Sequence, residues 1–317
     1  MTSHLSDMKL SIVTTLYNSG AFVENFYTRM KAEAEKITGD FEIIFVDDGS
    51  PDDSLNRALA LLSADHRVKV VELSRNFGHH KAMMTGLENA SGQSVFLIDV
   101  DLEEPPELLG RFYKHMWENN WDVVYGYQEQ RKGNLFEQWS GAVAWSLIDV
   151  LIPAKIPRNH STVRLMKGYY VRALVRHQEH KTAIGGLWVQ TGFKQTGLQF
   201  EKQSRHGSSY HFSSRLLAFL DSVTSFSERP LFFVFFAGAA IFCLSTLIST
   251  ALFILWLVGK TLPGWISVMA SVWLLGGFII LSVGIVGLYI SRIFIETKLR
   301  PYTIIRHIHQ DGERSGG

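Results

Sequence analysis

Phe41-Glu42-Ile43-Ile44-Phe45-Val46-Asp47-Asp48-Gly49-Ser50 is an apolar run that stops on two adjacent carboxylates. Phe41 to Val46 reads as a short buried strand, and Ser50-Pro51-Asp52-Asp53 reads as a helix start. Ser50 suits the N-cap, Pro51 the first helical position and the two acids the first turn, with the helix running to about Ser63. Upstream, Leu10 to Thr15 is another buried strand. Ala21 to Ile37 places Phe22, Phe26, Met30 and Ile37 at roughly helical spacing. Downstream, Val68 to Leu73, Ser94 to Ile98 and Asp122 to Tyr125 read as strands, with helices over His80 to Ala90 and Pro106 to Glu118 between them. Alternation with short loops predicts an α/β fold whose mostly parallel sheet is covered by helices. Such sheets bind ligands at the carboxyl ends of their strands.

The usual phosphate cradles are missing. No GxGxxG follows the first strand, and Gly259-Lys260-Thr261 is no P-loop, since residue 254 is Ile and the segment ends an apolar stretch. A nucleotide must therefore be held by acidic residues and a metal, which directs attention to Asp47, Asp48, Asp99 and Asp101. Leu97-Ile98-Asp99-Val100-Asp101 repeats the pattern of Phe45 to Asp48. In an extended segment residues i and i+2 share a face, so Asp99 and Asp101 are expected to converge on one ligand. Hard oxygen donors suit Mg²⁺ or Mn²⁺, and Glu103 and Glu104 follow closely enough to add one more. The alternative is that such acids are solvated loop residues or helix caps.

The whole chain has 317 residues, net charge +1, 46% apolar residues, 19% charged residues and one cysteine. These values exclude a strongly basic nucleic-acid binder, an internal disulfide and a Cys-rich zinc module. They also hide a division. Residues 1–226 carry a net charge of −2 and residues 227–317 a net charge of +3. Leu231 to Gly259 and Thr261 to Ser291 contain no Asp, Glu, Lys, Arg or His, and each is long enough to cross a bilayer. A short turn with Pro263 and Gly264 joins them. Arg229, Arg292, Lys298, Arg300 and Arg306 flank them on one side against Lys260 on the other, so both termini are expected in the cytoplasm. Met1 to Lys9 lacks the apolar stretch of a signal peptide. The expected layout is a catalytic domain over residues 1–210, an amphipathic segment over 211–229, two spans (231–258 and 266–290) and a cytoplasmic tail over 296–317.

Seven blocks in order carry a resemblance. They are Thr14-Thr15-Leu16-Tyr17-Asn18, Val46-Asp47-Asp48-Gly49-Ser50, Arg75-Asn76-Phe77-Gly78, Asp99-Val100-Asp101-Leu102-Glu103-Glu104-Pro105-Pro106-Glu107, Val163-Arg164-Leu165-Met166, Arg205-His206-Gly207-Ser208-Ser209-Tyr210 and Phe226-Ser227-Glu228-Arg229-Pro230-Leu231. With them the chain resembles the family 2 inverting glycosyltransferases, in particular the polyprenyl-phosphate glycosyltransferases related to dolichol-phosphate mannose synthase. The resemblance implies a GT-A fold followed by a two-helix membrane hairpin. It implies a nucleotide-sugar site of Thr15, Tyr17, Asn18, Asp47, Asp48, Arg75 and Asp99, and metal ligands Asp99, Asp101 and Glu103. Glu103 stands where relatives often carry Gln, which keeps an oxygen donor and adds charge. Asp101, Arg164 and Arg205 are the expected catalytic residues, and Arg131, Lys202, Arg205 and Tyr210 the expected acceptor-phosphate contacts. Asp48 is read either as a second nucleotide contact or as a cap for the following helix.

Relatives carry an Asp two residues before the Arg aligned with Arg164, where this chain has Thr162. His160 is the nearby candidate for a base. A lipid phosphate, largely dianionic at neutral pH, needs none. His79-His80-Lys81 opens a helix, where adjacent His side chains do not converge on one metal. Leu135 to Leu151 and Phe212 to Phe226 are amphipathic, and suit either the core or the membrane interface.

The expected activity is metal-dependent, inverting transfer of a sugar from UDP-hexose, or second from GDP-mannose, to a polyprenyl phosphate (undecaprenyl or dolichyl) at the membrane. Nucleic acid is not expected as a partner. Self-association through Gly276, Gly277, Gly284 and Gly287 is one use of those residues, and close packing of the two spans is the other. The alternatives are a glycan-extending enzyme of the same fold and an inactive nucleotide-sugar-binding scaffold.

Overall fold

The computed structural model describes residues 9–128, 160–179, 184–202, 229–258 and 264–311. In chain order the strands are β1 (Leu10–Leu16), β2 (Phe41–Asp47), β3 (Val68–Leu73), β4 (Ser94–Leu97), β5 (Val123–Tyr127), β6 (His160–Lys167), β7 (Gln195–Gln199) and β8 (Ile305–His309). The helices are α1 (Val23–Glu35), α2 (Ser54–Ala64), α3 (His79–Glu88), α4 (Leu108–Glu118), α5 (Gly168–Leu174), α6 (Ile184–Gln190), α7 (Arg229–Leu257) and α8 (Trp265–Thr297). All eight strands form one sheet in the order β7-β5-β6-β4-β1-β2-β3-β8. Pairing is parallel from β4 through β1 and β2 to β3, and again between β5 and β7. It is antiparallel on both sides of β6 and between β3 and β8.

Strand residues alternate between two cores. Ile12, Leu16, Ile43, Phe45 and Phe96 point into one core with Phe26, Met30 and Phe112. Val13, Ile44, Val46 and Val71 point into the other with Met83, Leu87, Tyr170 and Trp188. Burial on both faces explains why these strands read as continuous apolar runs. On α1 the buried residues are Val23, Phe26, Met30 and Ala34, the stripe that helical spacing implies. Gly86 lets α3 lie close to the sheet, because a Cβ there would come within 2.5 Å of Val13 and 2.7 Å of Val46.

Three differences from the sequence reading matter. Ser50 does not cap α2, which begins at Ser54 after Asp53. Asp52 instead accepts hydrogen bonds from the Ser54 hydroxyl at 2.5 Å and from Gly20 N–H at 2.9 Å. β6 was legible only as a motif, and it inserts antiparallel between β4 and β5. Residues 305–309, expected in a separate tail, form β8 on the far edge of the sheet.

Helices α7 and α8 have 29 and 33 residues. Among the described residues, one helical segment, Leu274–Thr297, is long and apolar enough to cross a membrane, and Arg229–Ile241 is a shorter apolar piece. Phe233, Leu274 and Ile280 are 73–75% exposed. Among the described residues, no atom lies within 4 Å of a Cβ placed at Gly276, Gly277, Gly284 or Gly287.

Candidate active site

The strand order reverses between β1 and β4, where an open α/β sheet forms its ligand crevice. Thr15 and Leu16 close β1, Asp47 closes β2, and the chain leaves β4 at Leu97 toward Asp99. Tyr17, half exposed, and Asn18, at φ 52°, make the turn beyond β1.

Asp47 and Asp48 are both 2% exposed and do different things. The Asp47 carboxylate accepts from Ser50 N–H at 3.4 Å through either oxygen. Burial raises its pKa, offset in part by hydrogen bonds from Ser50 and Gly49. Asp48 accepts from Phe77 N–H at 2.7 Å with one oxygen and from Gly78 N–H at 3.0 Å with the other. It thus caps the loop that leads into α3, rather than α2. Gly49, at φ +65°, permits this approach, since a Cβ there would lie 2.6 Å from Asn76 N and 2.7 Å from Arg75 C. In that loop the Arg75 guanidinium stacks 4.1 Å from the Phe77 ring centroid.

The first residue of α3 joins the ends of β1 and β4. His79 meets the Thr15 hydroxyl at 2.9 Å through Nδ1 and Asp99 at 3.3 Å through Nε2. Burial alone pushes the imidazole pKa down. Its bond to Asp99 and the charges of Asp99, Asp48 and Asp101 outweigh this and carry it above its ordinary value. His79 is the site neighbour that sequence reasoning passed over. The His-His-Lys run carries no local sign of this role, because the partners of His79 lie 64 and 20 residues away.

Asp99 and Asp101 are not on an extended segment. β4 ends at Leu97, and the chain turns at Val100–Asp101 with Leu102 at φ 64°. A non-glycine residue in that region is uncommon. The turn is tied internally by Glu103 N–H donating to Asp101 at 3.0 Å. Burial raises the Asp101 pKa, and the neighbouring Asp99 and Glu103 charges add to it. Glu103 points elsewhere, to Lys202 Nζ at 2.6 Å. Among the described residues no group of three or more His, Cys, Asp or Glu side chains is arranged to hold a metal. What remains suitable for Mg²⁺ or Mn²⁺ is the Asp99–Asp101 pair. That number of carboxylates fits a small hard cation completed by substrate phosphates and water.

Glu104 is 1% exposed. One of its oxygens accepts the Ser161 hydroxyl, and the other has no partner among the described residues. Burial, reinforced by the Asp99 charge, pushes its pKa up to about 7. Arg164 is also 1% exposed. Its Nε donates to Thr162 C=O at 3.1 Å and its Nη2 to Ser161 C=O at 3.3 Å, while its guanidinium lies over the Trp188 ring. Burial draws its pKa down to about 9. The arginine is buried in the described structure, with the Glu104 charge near enough to oppose part of that fall. His160 opens β6 with its ring edge-on to Trp188 at 5.6 Å. The structure therefore brings Thr15, Asp47, Asp48, Asp99, Asp101, Glu103 and Lys202 to one end of the sheet. Arg131, Arg205 and Tyr210, and the amphipathic segments Leu135 to Leu151 and Phe212 to Phe226, lie outside the described residues.

The family model described as Glycosyl transferase family 2 matches residues 11–190. A Mycobacterium tuberculosis protein named for glycosyltransferases is 48% identical over 303 residues, covering 95% of this chain and 89% of that protein. The SfII prophage-derived bactoprenol glucosyl transferase of Shigella flexneri is 30% identical over 308 residues, covering 96% of this chain and 99% of that protein. A solved structure of glucosyl-3-phosphoglycerate synthase from M. tuberculosis, in complex with Mn²⁺, uridine diphosphate and phosphoglyceric acid, aligns with a TM-score of 0.49 at 18% identity. It covers 69% of this chain and 78% of that one.

Proposed function

Because the chain belongs to glycosyl transferase family 2 and is a glycosyltransferase, we propose that it moves one hexosyl group from a nucleoside diphosphate sugar to a polyprenyl phosphate at the cytoplasmic membrane face, with inversion. A UDP-hexose is the first choice of donor and GDP-mannose the second. The observation that carries the acceptor is the 30% identity, over nearly the full length of both chains, to a bactoprenol glucosyl transferase.

A phosphate oxygen of the lipid attacks the anomeric carbon on the face opposite the diphosphate. The new C–O bond forms as the bond to the diphosphate oxygen breaks, and the dianionic acceptor has no proton to lose. Asp99 and Asp101 would hold Mg²⁺ or Mn²⁺, whose chemistry is to neutralise charge on the departing diphosphate. His79 orients Asp99 from one side while Thr15 fixes the other ring nitrogen. Asp47 lies toward the nucleobase end, and Tyr17, Asn18 and Arg75 border the donor. Lys202, whose bond to Glu103 keeps it charged against the cost of burial, supplies positive charge for the acceptor phosphate.

The chain path supports two membrane spans. Residues up to 202 and residues 305–309 belong to the same sheet. The chain therefore leaves and re-enters on one side of any membrane, and an even number of crossings lies between. If Leu274–Thr297 crosses, α7 is the segment that makes the second crossing.

The test incubates purified protein with undecaprenyl phosphate and a panel of labelled nucleotide sugars. Label in the lipid fraction, from a UDP-hexose in particular, is the expected result. Donor hydrolysis with no labelled lipid would overturn the acceptor.

A further inference from the structure

β8 does more than cover an edge. It pairs Val70 with His309, Val71 with Ile308 and Glu72 with His307, and the register slips before Leu73 meets Ile305. Beyond that slip the tail holds Ser74 through both its backbone N–H and its backbone C=O. Ser74 N–H donates to Ile304 C=O at 2.9 Å, and Arg306 Nη2 donates to Ser74 C=O at 3.0 Å. Arg306 Nη1 is held 2.8 Å from Glu72, whose other oxygen meets His309 at 3.1 Å. The segment between α8 and β8 grips α3 as well. The hydroxyls of Thr303 and Thr85 are 2.8 Å apart, and Lys81 Nζ lies 5.2 Å from the Tyr302 ring centroid.

Ser74 is the last residue before Arg75-Asn76-Phe77-Gly78, and that loop ends at His79. Three anchors therefore define its course: the tail at Ser74, Asp48 at Phe77 and Gly78, and the tail again on α3. The side chain of Arg306 is 62% exposed, and an ion pair so placed adds little to global stability. Its second bond, to a backbone carbonyl at the root of the loop, instead constrains where Arg75 and His79 stand. We infer that β8, through Arg306, is a positioning element that ties the end of the membrane-length helix α8 to the donor side of the site. The inference rests on the reading that the 75–79 loop faces the nucleoside diphosphate.

The test uses the full chain in lipid nanodiscs, with UDP and GDP as equilibrium-binding probes, and hydrogen exchange at the Phe77 and Gly78 amides. Arg75→Ala examines the donor reading, and Arg306→Ala examines the tail. The expected result for Arg306→Ala is about fivefold weaker binding of the preferred diphosphate and about tenfold faster exchange at both amides. The thermal midpoint should move by under about 4 °C. Arg306→Lys, which keeps a cation for Glu72, should recover part of the binding. Weaker binding in Arg75→Ala with unchanged binding and exchange in Arg306→Ala would overturn the role of the tail and leave the donor site standing. No effect in either variant would overturn the donor reading and this inference with it. Should Arg306→Ala fail to fold, Thr303→Val, which deletes one hydroxyl on the same strap, decides by the same measurements.

Discussion

Lys202 Nζ lies 2.6 Å from Glu103, so the chain following β7 is latched to the turn that carries Asp99 and Asp101. A residue expected to contact the acceptor and a residue expected to bind metal neutralise one another across the mouth of the site. Lys202→Met should separate the two roles. Freed from its partner, Glu103 can turn to the cation, and half-saturating Mn²⁺ should fall by about threefold. The KM for undecaprenyl phosphate should rise by about tenfold as the acceptor loses a cation. Titrating each component against initial rate checks both, and an unchanged acceptor KM would remove Lys202 from that role.

Among the described residues Asp101 forms no ion pair, and Lys202 acts on it only through its charge. Asp101→Ala should lower metal-dependent transfer by at least about a hundredfold while leaving the fold intact. Circular dichroism and labelled-lipid formation on the same preparation decide the matter. A rate near that of the unaltered enzyme excludes the carboxylate pair as the metal site.

Glu104 gives the fold a pH signature. Its carboxyl is raised from 4.5 to about 7 in the folded, metal-free protein, so the folded state holds this proton more tightly than the unfolded state does. Its contribution is fully present below about pH 4.5, is lost as pH rises toward 7 and stays lost above, to a limit of about 3 kcal/mol. Glu104→Gln should therefore lose less stability than the parent between pH 5 and pH 8. Thermal midpoints at the two pH values, with chelator present, test this. Equal pH dependence in both proteins would show that the residue ionises normally.

Arg164 should behave as a structural residue. Truncation to Ala opens a cavity, frees two carbonyls and removes the ring contact with Trp188, at a cost of at least about 3 kcal/mol. A large drop in thermal midpoint is expected. Loss of transfer with an unchanged midpoint would instead place the guanidinium on a substrate phosphate.

His160 packs against Trp188, and the proposed acceptor is already an anion. His160→Ala should keep activity within about tenfold. Loss of more than about a hundredfold, with the protein folded, would identify a general base.

The legible part of this fold was the part written in local periodicity. β1 to β5 and α1 to α4 announce themselves through buried runs and apolar stripes, and Asp47, Asp99 and Asp101 stand out because they end such runs. What escaped was set by distant partners. The position of β6 depends on antiparallel pairing to β4 and β5, and the burial of Arg164 on Trp188, 24 residues away. His79 finds Thr15 and Asp99 only once the sheet has assembled. Nothing in a leucine announces φ 64°, so the turn at Leu102 could not be told from an extended strand. Ile305 to His309 carries two His and an Arg in five residues, a weak strand signal after a long apolar helix.

The place of β8 in the chain has a consequence for biosynthesis. The ribosome makes β3 early, yet its outer hydrogen-bonding edge is completed by a strand made some 230 residues later, after both long apolar helices. During that interval the nascent domain carries an open strand edge, a template for pairing with other chains. Synthesis of α7 and α8 must therefore precede completion of the sheet. A chain ended at residue 202 should aggregate through β3, and supplying residues 298–311 as a separate peptide should suppress this.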